Sequence, residues 1–93
     1  MSHKHEQLLR SIFHDPVSGN IQWRDVESLL RHVGGEIEQL SGARIRVKIN
    51  GVEGTLHRPH HSNTLTRQEI WHLREYLGRA RMTPSLSEAS RAK

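Results

Sequence analysis

The sequence contains no cysteine, which excludes disulfide bonds and thiolate metal sites as sources of stability. No apolar run approaches the roughly 20 residues that a membrane-spanning helix needs, and the polar first residues lack the apolar stretch of a secretory signal. The Gly-x-Ser-x-Gly elbow of hydrolases and the glycine-rich phosphate loop are also absent. The first two absences predict a cytoplasmic protein with no membrane contact. The missing motifs argue against a common type of hydrolase or nucleotide-binding protein.

Length and charge narrow the choice of partner. The chain has 93 residues, enough for one domain with a two-layer core. Apolar residues are only 33% of it, so we expect the terminal segments to stay outside that core. Fourteen Lys and Arg against ten Asp and Glu give a net charge of +4, with eight histidines in addition. A basic small protein favours an anionic partner, nucleic acid first, although an ordinary solubilising surface gives the same charge.

The apolar pattern predicts two helices in the first part of the chain. Residues 4–13 form a short amphipathic segment, and turn-forming residues follow at 15–20. The second helix begins near Trp23, repeats apolar residues at helical spacing and ends at Gly34-Gly35.

After these glycines the apolar period changes from that of a helix to that of a strand. Residues 43–49 alternate apolar and basic side chains, residues 50–51 (Asn-Gly) indicate a two-residue hairpin, and residues 52–57 return antiparallel. The strand at 36–40 must place Ile37 on the buried face, which requires a three-residue loop before the next strand. The predicted partners are Ile37 with Val47, Glu38 with Arg46, Glu36 with Lys48, Ile49 with Val52, Lys48 with Glu53, Ile45 with Leu56, and Arg44 with His57.

A capping box, Thr66-x-x-Glu69, opens the last helix. The order α-α-β-β-β-α predicts an α+β fold of two layers, a three-stranded antiparallel sheet with helices on one face. Double-stranded-RNA-binding domains share the core of this order, which is a likeness of fold alone. We divide the chain into an N-terminal helix and turn (1–20), a central domain (21–82) and a disordered tail (83–93).

Basic residues mark one face of the predicted sheet. Arg44, Arg46 and Lys48 share the solvent side of the central strand, and Arg58 and Arg67 add further cations. Guanidinium groups match phosphate oxygens, so these five residues are candidates for RNA contact. The alternative is an ordinary solvated face, because carboxylates on the neighbouring strands would neutralise much of this charge.

The densest chemical feature is His57-Arg58-Pro59-His60-His61, between a strand end and a helix start. Cleaving RNA without a metal needs a base for the 2′-hydroxyl proton, an acid for the leaving 5′-oxygen and a cation for the phosphorane. His57, His60 and His61 are therefore candidate catalytic residues that require no cofactor. Two alternatives remain open: a loop surface with helix-capping duties, or a zinc site at His57 and His60, which no cysteine or second well-spaced pair supports.

The remaining aromatic and imidazole side chains have structural interpretations. Trp23 and Trp71 fall in amphipathic runs, where core packing is favoured over base stacking for both. His32 and His72 lie beside apolar positions on helices and are predicted to be boundary residues. His5 lies at a terminus that we expect to be mobile.

Several segments, taken in order, resemble HicA toxins of bacterial toxin–antitoxin pairs. They are residues 23–30 (Trp-Arg-Asp-Val-Glu-Ser-Leu-Leu), Gly34-Gly35, residues 41–47 (Ser-Gly-Ala-Arg-Ile-Arg-Val), residues 50–52 (Asn-Gly-Val), His57-Arg58-Pro59-His60 and the helix at 66–77. The resemblance covers about residues 21–82. It implies an mRNA-cleaving endoribonuclease with a double-stranded-RNA-binding fold, neutralised by a HicB-like antitoxin.

The chain departs from that family at one position. HicA toxins typically carry Gly-Ser followed by the catalytic histidine at the third or fourth place, whereas this sequence reads Gly42-Ala43-Arg44-Ile45. Strand alternation points Arg44 outward and Ile45 into the core. Two hypotheses follow: His57, opposite Arg44, supplies the imidazole for cleavage, or the chain is a non-catalytic module that binds RNA or an antitoxin.

Overall fold

The computed structural model describes residues 3–17, 19–59 and 63–83. In these residues, three helices and three strands follow one another as α1 (His3–Ile12), α2 (Trp23–His32), β1 (Glu36–Gln39), β2 (Arg44–Ile49), β3 (Val52–His57) and α3 (Arg67–Arg79). The strands form one antiparallel sheet in the order β1-β2-β3. The predicted α+β class and element order are confirmed. None of the helices in this part of the chain has the length and apolarity needed to cross a membrane.

The two turns of the sheet have the predicted lengths. Asn50 and Gly51 adopt φ angles of 54° and 79°, the left-handed pair that a two-residue hairpin requires. Between β1 and β2, the Leu40 N–H donates to the Arg44 carbonyl at 3.0 Å. This bond leaves residues 41–43 as the three-residue loop that the burial of Ile37 demanded.

The alternation of β2 separates the two faces of the sheet. Every predicted partner pair of both strand pairings is observed. Ile45, Val47 and Ile49 are buried, while the basic residues between them are exposed. The helices cover the inner face, and the outer face is left to solvent.

Helix α2 ends at the predicted glycines through a Schellman motif. Gly34 has a φ of 85°, and its N–H donates to the Arg31 carbonyl at 3.1 Å while the Gly35 N–H donates to the Leu30 carbonyl at 2.9 Å. A Cβ atom on Gly35 would lie 2.6 Å from the Leu30 oxygen. Glycine is therefore needed at both positions, one for its backbone angle and one for close approach.

Helix α1 belongs to the core, contrary to the expectation that terminal segments stay outside it. Its Leu9 and Ile12 side chains are fully buried. Arg74 of α3 fixes the chain that leaves α1, donating to the Ile12 carbonyl at 2.5 Å, to the Asp15 carboxylate at 3.0 Å and to the His14 carbonyl. The guanidinium thus satisfies backbone carbonyls at the end of α1 that have no helical partner.

The beginning of α1 is also held in place. The His5 ring stacks on the His32 ring of α2 with centroids 4.4 Å apart, and His5 Nε2 lies 2.8 Å from the Ser28 hydroxyl. Desolvation, followed by the neighbouring His32, lowers the pKa of His5. His5 thus packs against α2 in the structure, whereas the sequence analysis assigned it only to a mobile terminus.

Helix α3 corrects one aromatic assignment. Trp23 is buried as predicted, but Trp71 is 54% exposed, so the prediction of core packing is wrong for Trp71. Tyr76, for which the sequence analysis predicted no position, fills the core instead and donates its hydroxyl to the Val52 carbonyl at 2.8 Å. Burial raises the pKa of Tyr76. Gly54 of β3 makes room for this ring.

Both ends of α3 are capped. Thr66 and Glu69 form the predicted capping box. At the other end, Arg81 takes a φ of 60°, and the Asn50 side-chain amide donates to the Ala80 carbonyl at 2.8 Å. The hairpin is therefore tied to the last turn of α3.

Candidate nucleic-acid interface

The outer face of the sheet carries the basic residues that the sequence predicted for RNA contact. Arg44, Arg46 and Lys48 alternate with the buried residues of β2 and are exposed. Neighbours on β1 and β3 then decide which of these charges remains available. The structure divides the three residues into a neutralised part and an available part.

Arg46, at the centre of the face, is neutralised. Its guanidinium lies 3.0 Å from the Glu38 carboxylate of β1 and 3.0 Å from the Glu53 carboxylate of β3. Each such exposed pair contributes at most about 1 kcal/mol to stability. Their effect on the surface charge matters more, because two carboxylates compensate the positive charge of one guanidinium. Lys48 lies across from Glu36 and Glu53 in the register, so this cation also has carboxylates on the neighbouring strands.

Positive charge without a paired carboxylate remains, among the described residues, where β2 begins and β3 ends. Arg44 lies directly opposite His57, and the Arg58 N–H donates to the Ala43 carbonyl at 2.8 Å, which extends the pairing beyond β3. Arg44 contacts the Ser41 hydroxyl at 3.0 Å. Among the described residues, neither guanidinium pairs with a carboxylate. We call Arg44, His57 and Arg58 the basic corner.

A groove beside the basic corner is open to solvent. Gly42, Ala43, Arg58 and Pro59 line it. Small residues on the loop side leave the Arg58 backbone and side chain accessible. A phosphate that entered this groove would meet Arg58, and a guanidinium fork suits phosphate oxygens.

His57 borders a different cavity, a notch between the end of β3 and the first turns of α3. The notch has a volume of about 10 Å³, the size of a single water molecule. Its polar lining is His57, Glu69 and His72, on a floor that includes Trp23. Glu69 is committed to the capping box, accepting from the Thr66 N–H at 2.7 Å. Among the described residues, His72 is therefore the imidazole that the fold brings toward His57.

Sequence reasoning missed this role of His72 and took it for a boundary residue. The signal was present in the helical spacing, because His72 follows Glu69 by one turn and so shares its side of α3. What the spacing alone did not show is that this side of α3 meets the end of β3. Only the packing of α3 on the sheet reveals that.

The other candidate residues divide into two groups. Arg67 is the first residue of α3 and is exposed, and the notch places the first turns of that helix beside the end of β3. His60 and His61 lie outside the described residues. Within the described ranges, no group of three or more His, Cys, Asp or Glu side chains is arranged to hold a metal ion.

Comparisons with protein-family models, with curated proteins and with solved structures find no match to this chain. The likeness to HicA toxins therefore rests on the sequence segments that suggested it. The arrangement of charge and imidazoles at the basic corner is the independent basis for a functional proposal.

Proposed function

We propose that this chain is a HicA-like toxin of a toxin–antitoxin pair that binds RNA at the basic corner and cleaves mRNA in the cytoplasm. The observation that carries the proposal is the pairing of Arg44 with His57 across β2 and β3, with Arg58 next in sequence. Arg44, His57 and Arg58 lie at one end of the sheet, and no carboxylate among the described residues pairs with either guanidinium. An RNA phosphate supplies the missing charge.

The cleavage that we propose uses these groups in the following way. His57 takes the proton from the 2′-hydroxyl, whose oxygen then attacks the adjacent phosphorus. Arg44 and Arg58 stabilise the charge on the phosphorane. The bond to the 5′-oxygen breaks, leaving a 2′,3′-cyclic phosphate and a 5′-hydroxyl. The leaving oxygen needs a proton, for which the candidates are His60 and His61 from the sequence and His72 from the notch.

A second candidate function is RNA or antitoxin binding without cleavage. Ile45, at one of the two places where the family carries its histidine, is a buried core residue, and Arg44 occupies the other place. The family's catalytic imidazole therefore has no direct counterpart in β2. A HicB-like antitoxin is the protein partner in either case, proposed from the resemblance.

Two arginines of β2 provide a matched test of RNA binding. Arg44→Gln and Arg46→Gln remove the same charge from the same face of the same strand. We expect Arg44→Gln to weaken RNA affinity and to reduce the salt dependence of binding, because it loses a phosphate contact. Arg46→Gln should change affinity little, since Glu38 and Glu53 already neutralise that cation. Equal losses in a gel-shift titration would contradict binding at the basic corner.

Cleavage is tested by incubating the protein with a mixed mRNA pool in EDTA, alongside His57→Ala and the control His32→Ala. His32 is an exposed imidazole on α2. Cleavage that survives EDTA, persists in His32→Ala and disappears in His57→Ala would support the ribonuclease. Intact RNA that shifts on a gel would support the binding module. RNA that neither shifts nor breaks at low salt would exclude the ribonuclease and RNA binding, and would leave antitoxin binding as the function.

A further inference from the structure

Trp71 is an aromatic side chain that packing does not explain. Its side chain is 54% exposed, and no other large apolar side chain is exposed among the residues that the structure describes. The core of α3 is already complete without it, because Ile70, Leu73 and Leu77 are buried on the other side of the helix. An indole in this position is available to a ligand.

The indole is fixed from one side by a guanidinium. The Arg74 guanidinium carbon lies 5.3 Å from the centroid of the Trp71 ring. Arg74 is itself held by its bonds to the Ile12 and His14 carbonyls and to Asp15, and its side chain is only 12% exposed. The ring therefore lies against a guanidinium that its own hydrogen bonds hold in place, while much of the indole stays exposed. Such pre-organisation lowers the entropy cost of binding.

The side of the ring toward the start of α3 favours an anionic group, because Arg67 lies there, whereas Asp15 already pairs with Arg74 against the ring. Arg67 precedes Trp71 by one helical turn and so shares its side of α3. Arg67 is exposed, and among the described residues it makes no ion pair. The other exposed neighbour at this spacing is Glu75, which follows Trp71 by one turn. An aromatic ring with cations beside it is the combination that proteins use for single-stranded nucleic acid, where bases stack and phosphates pair with basic groups.

We propose that Trp71 is a stacking platform for a base of single-stranded RNA and that Arg67 contacts a phosphate next to that base. This inference rests on the proposed RNA function and adds a second contact site, on a side of α3 different from the His72 notch. A purely apolar protein contact is less favoured, because a guanidinium underlies the ring and Arg67 borders it.

The test measures binding of a single-stranded RNA of about 12 nucleotides by intrinsic tryptophan fluorescence and by gel shift. The variants are Trp71→Leu, which keeps apolar bulk, and Trp71→Phe, which keeps an aromatic face. Because Trp71 is exposed and Trp23 is buried, iodide-accessible emission reports on Trp71. We expect RNA to quench this emission. Loss of one stacked base weakens binding between about fivefold and a hundredfold, so Trp71→Leu should fall in that range and Trp71→Phe should lose less.

The outcomes separate this inference from the proposed function. RNA that binds wild-type protein without quenching, with unchanged affinity in Trp71→Leu, would overturn the stacking platform and leave binding at the basic corner intact. A face that serves a protein partner would give that same result. Absence of RNA binding by wild-type protein at low salt would overturn both proposals. Unchanged thermal unfolding of both variants confirms that the effects are local.

Discussion

Replacing Gly54 with alanine tests the contact on which the packing of α3 against the sheet depends. A Cβ atom at this position would lie 2.4 Å from Cδ1 and 2.7 Å from Cε1 of Tyr76. Real Cβ atoms do not approach other carbons so closely, so the ring must move. It cannot move freely, because Tyr76 is 1% exposed and its hydroxyl is bound to the Val52 carbonyl at 2.8 Å.

The expected cost follows from these constraints. Overpacking a well-filled core costs about 1–3 kcal/mol, and displacing the Tyr76 hydroxyl would lose a hydrogen bond of about 0.5–1.5 kcal/mol. Alanine recovers about 0.5–1 kcal/mol relative to glycine through backbone entropy. We therefore expect Gly54→Ala to lower the free energy of unfolding by about 2 kcal/mol. In a domain of this size, that lowers Tm by roughly 10 °C.

Urea and thermal unfolding measure this effect, and the chain supplies its own control. Gly78 lies on the exposed side of α3, and a Cβ atom added there would have no neighbouring atom within 4 Å. Gly78→Ala should therefore raise stability by up to about 1 kcal/mol, as alanine does in helices. In a Tyr76→Phe background, Gly54→Ala should cost less, because the freed ring can shift. Wild-type stability in Gly54→Ala would refute the account of this contact.

Two further predictions concern the attachment of α1. Burial and His32 lower the folded-state pKa of His5 below its ordinary value of 6.5. The unfolded chain therefore binds the proton more readily than the folded chain. The stability contribution of His5 is complete above about pH 6.5 and declines as the pH falls from there toward the folded-state pKa. His32→Gln should reduce that decline, which unfolding curves at about pH 7.5 and 5 would detect; an unchanged pH dependence would contradict the role of the stack. Arg74→Met should lower the free energy of unfolding by about 1–3 kcal/mol, because it leaves carbonyls at the end of α1 unpaired. The control Arg24→Met, on the exposed side of α2, should change the free energy of unfolding little. Equal effects of the two variants in chemical denaturation would show that Arg74 has no such role.

The sheet was the most predictable part of the fold, since each of its features has a local cause. Asn50-Gly51 selects the hairpin, and strict alternation in residues 44–49 fixes which side chains point inward. The burial of Ile37 then leaves one loop length between β1 and β2. These constraints act within a few residues of one another, so the register could be worked out without tertiary information.

The prediction of core packing for Trp71 failed for a non-local reason. Trp71 and Tyr76 both flank the apolar stripe, and helical spacing does not say which flank meets the sheet. The deciding residue is Gly54, whose missing side chain provides space for the Tyr76 ring from a different part of the chain. A glycine inside a predicted strand indicates that something approaches closely, and it was the available signal.

The candidate site could be predicted only in part, because some of its contacts follow from local strand pairing and others depend on how α3 packs. The pairing of Arg44 with His57 follows from the register and was predicted. The approach of His72 depends on how α3 crosses the end of β3, which no local pattern specifies. The role of α1 was equally hidden, because Arg74 secures it through bonds to residues near the other end of the chain.

The balance of charge on the outer sheet face explains why the basic corner, and not the whole strand, is the expected RNA contact. Glu53 is one of two carboxylates that hold Arg46, so Glu53→Gln should partly release that guanidinium and extend the positive surface along β2. RNA affinity should then rise, and the slope of log affinity against log salt should steepen by about 0.7 for one added phosphate contact. Glu27→Gln is the matched control, since it removes one carboxylate from an arginine pair on α2, 3.4 Å from Arg31. Equal gains in the two variants would mean that RNA responds to net charge alone, and the distinction between a neutralised centre and an available corner would have to be abandoned.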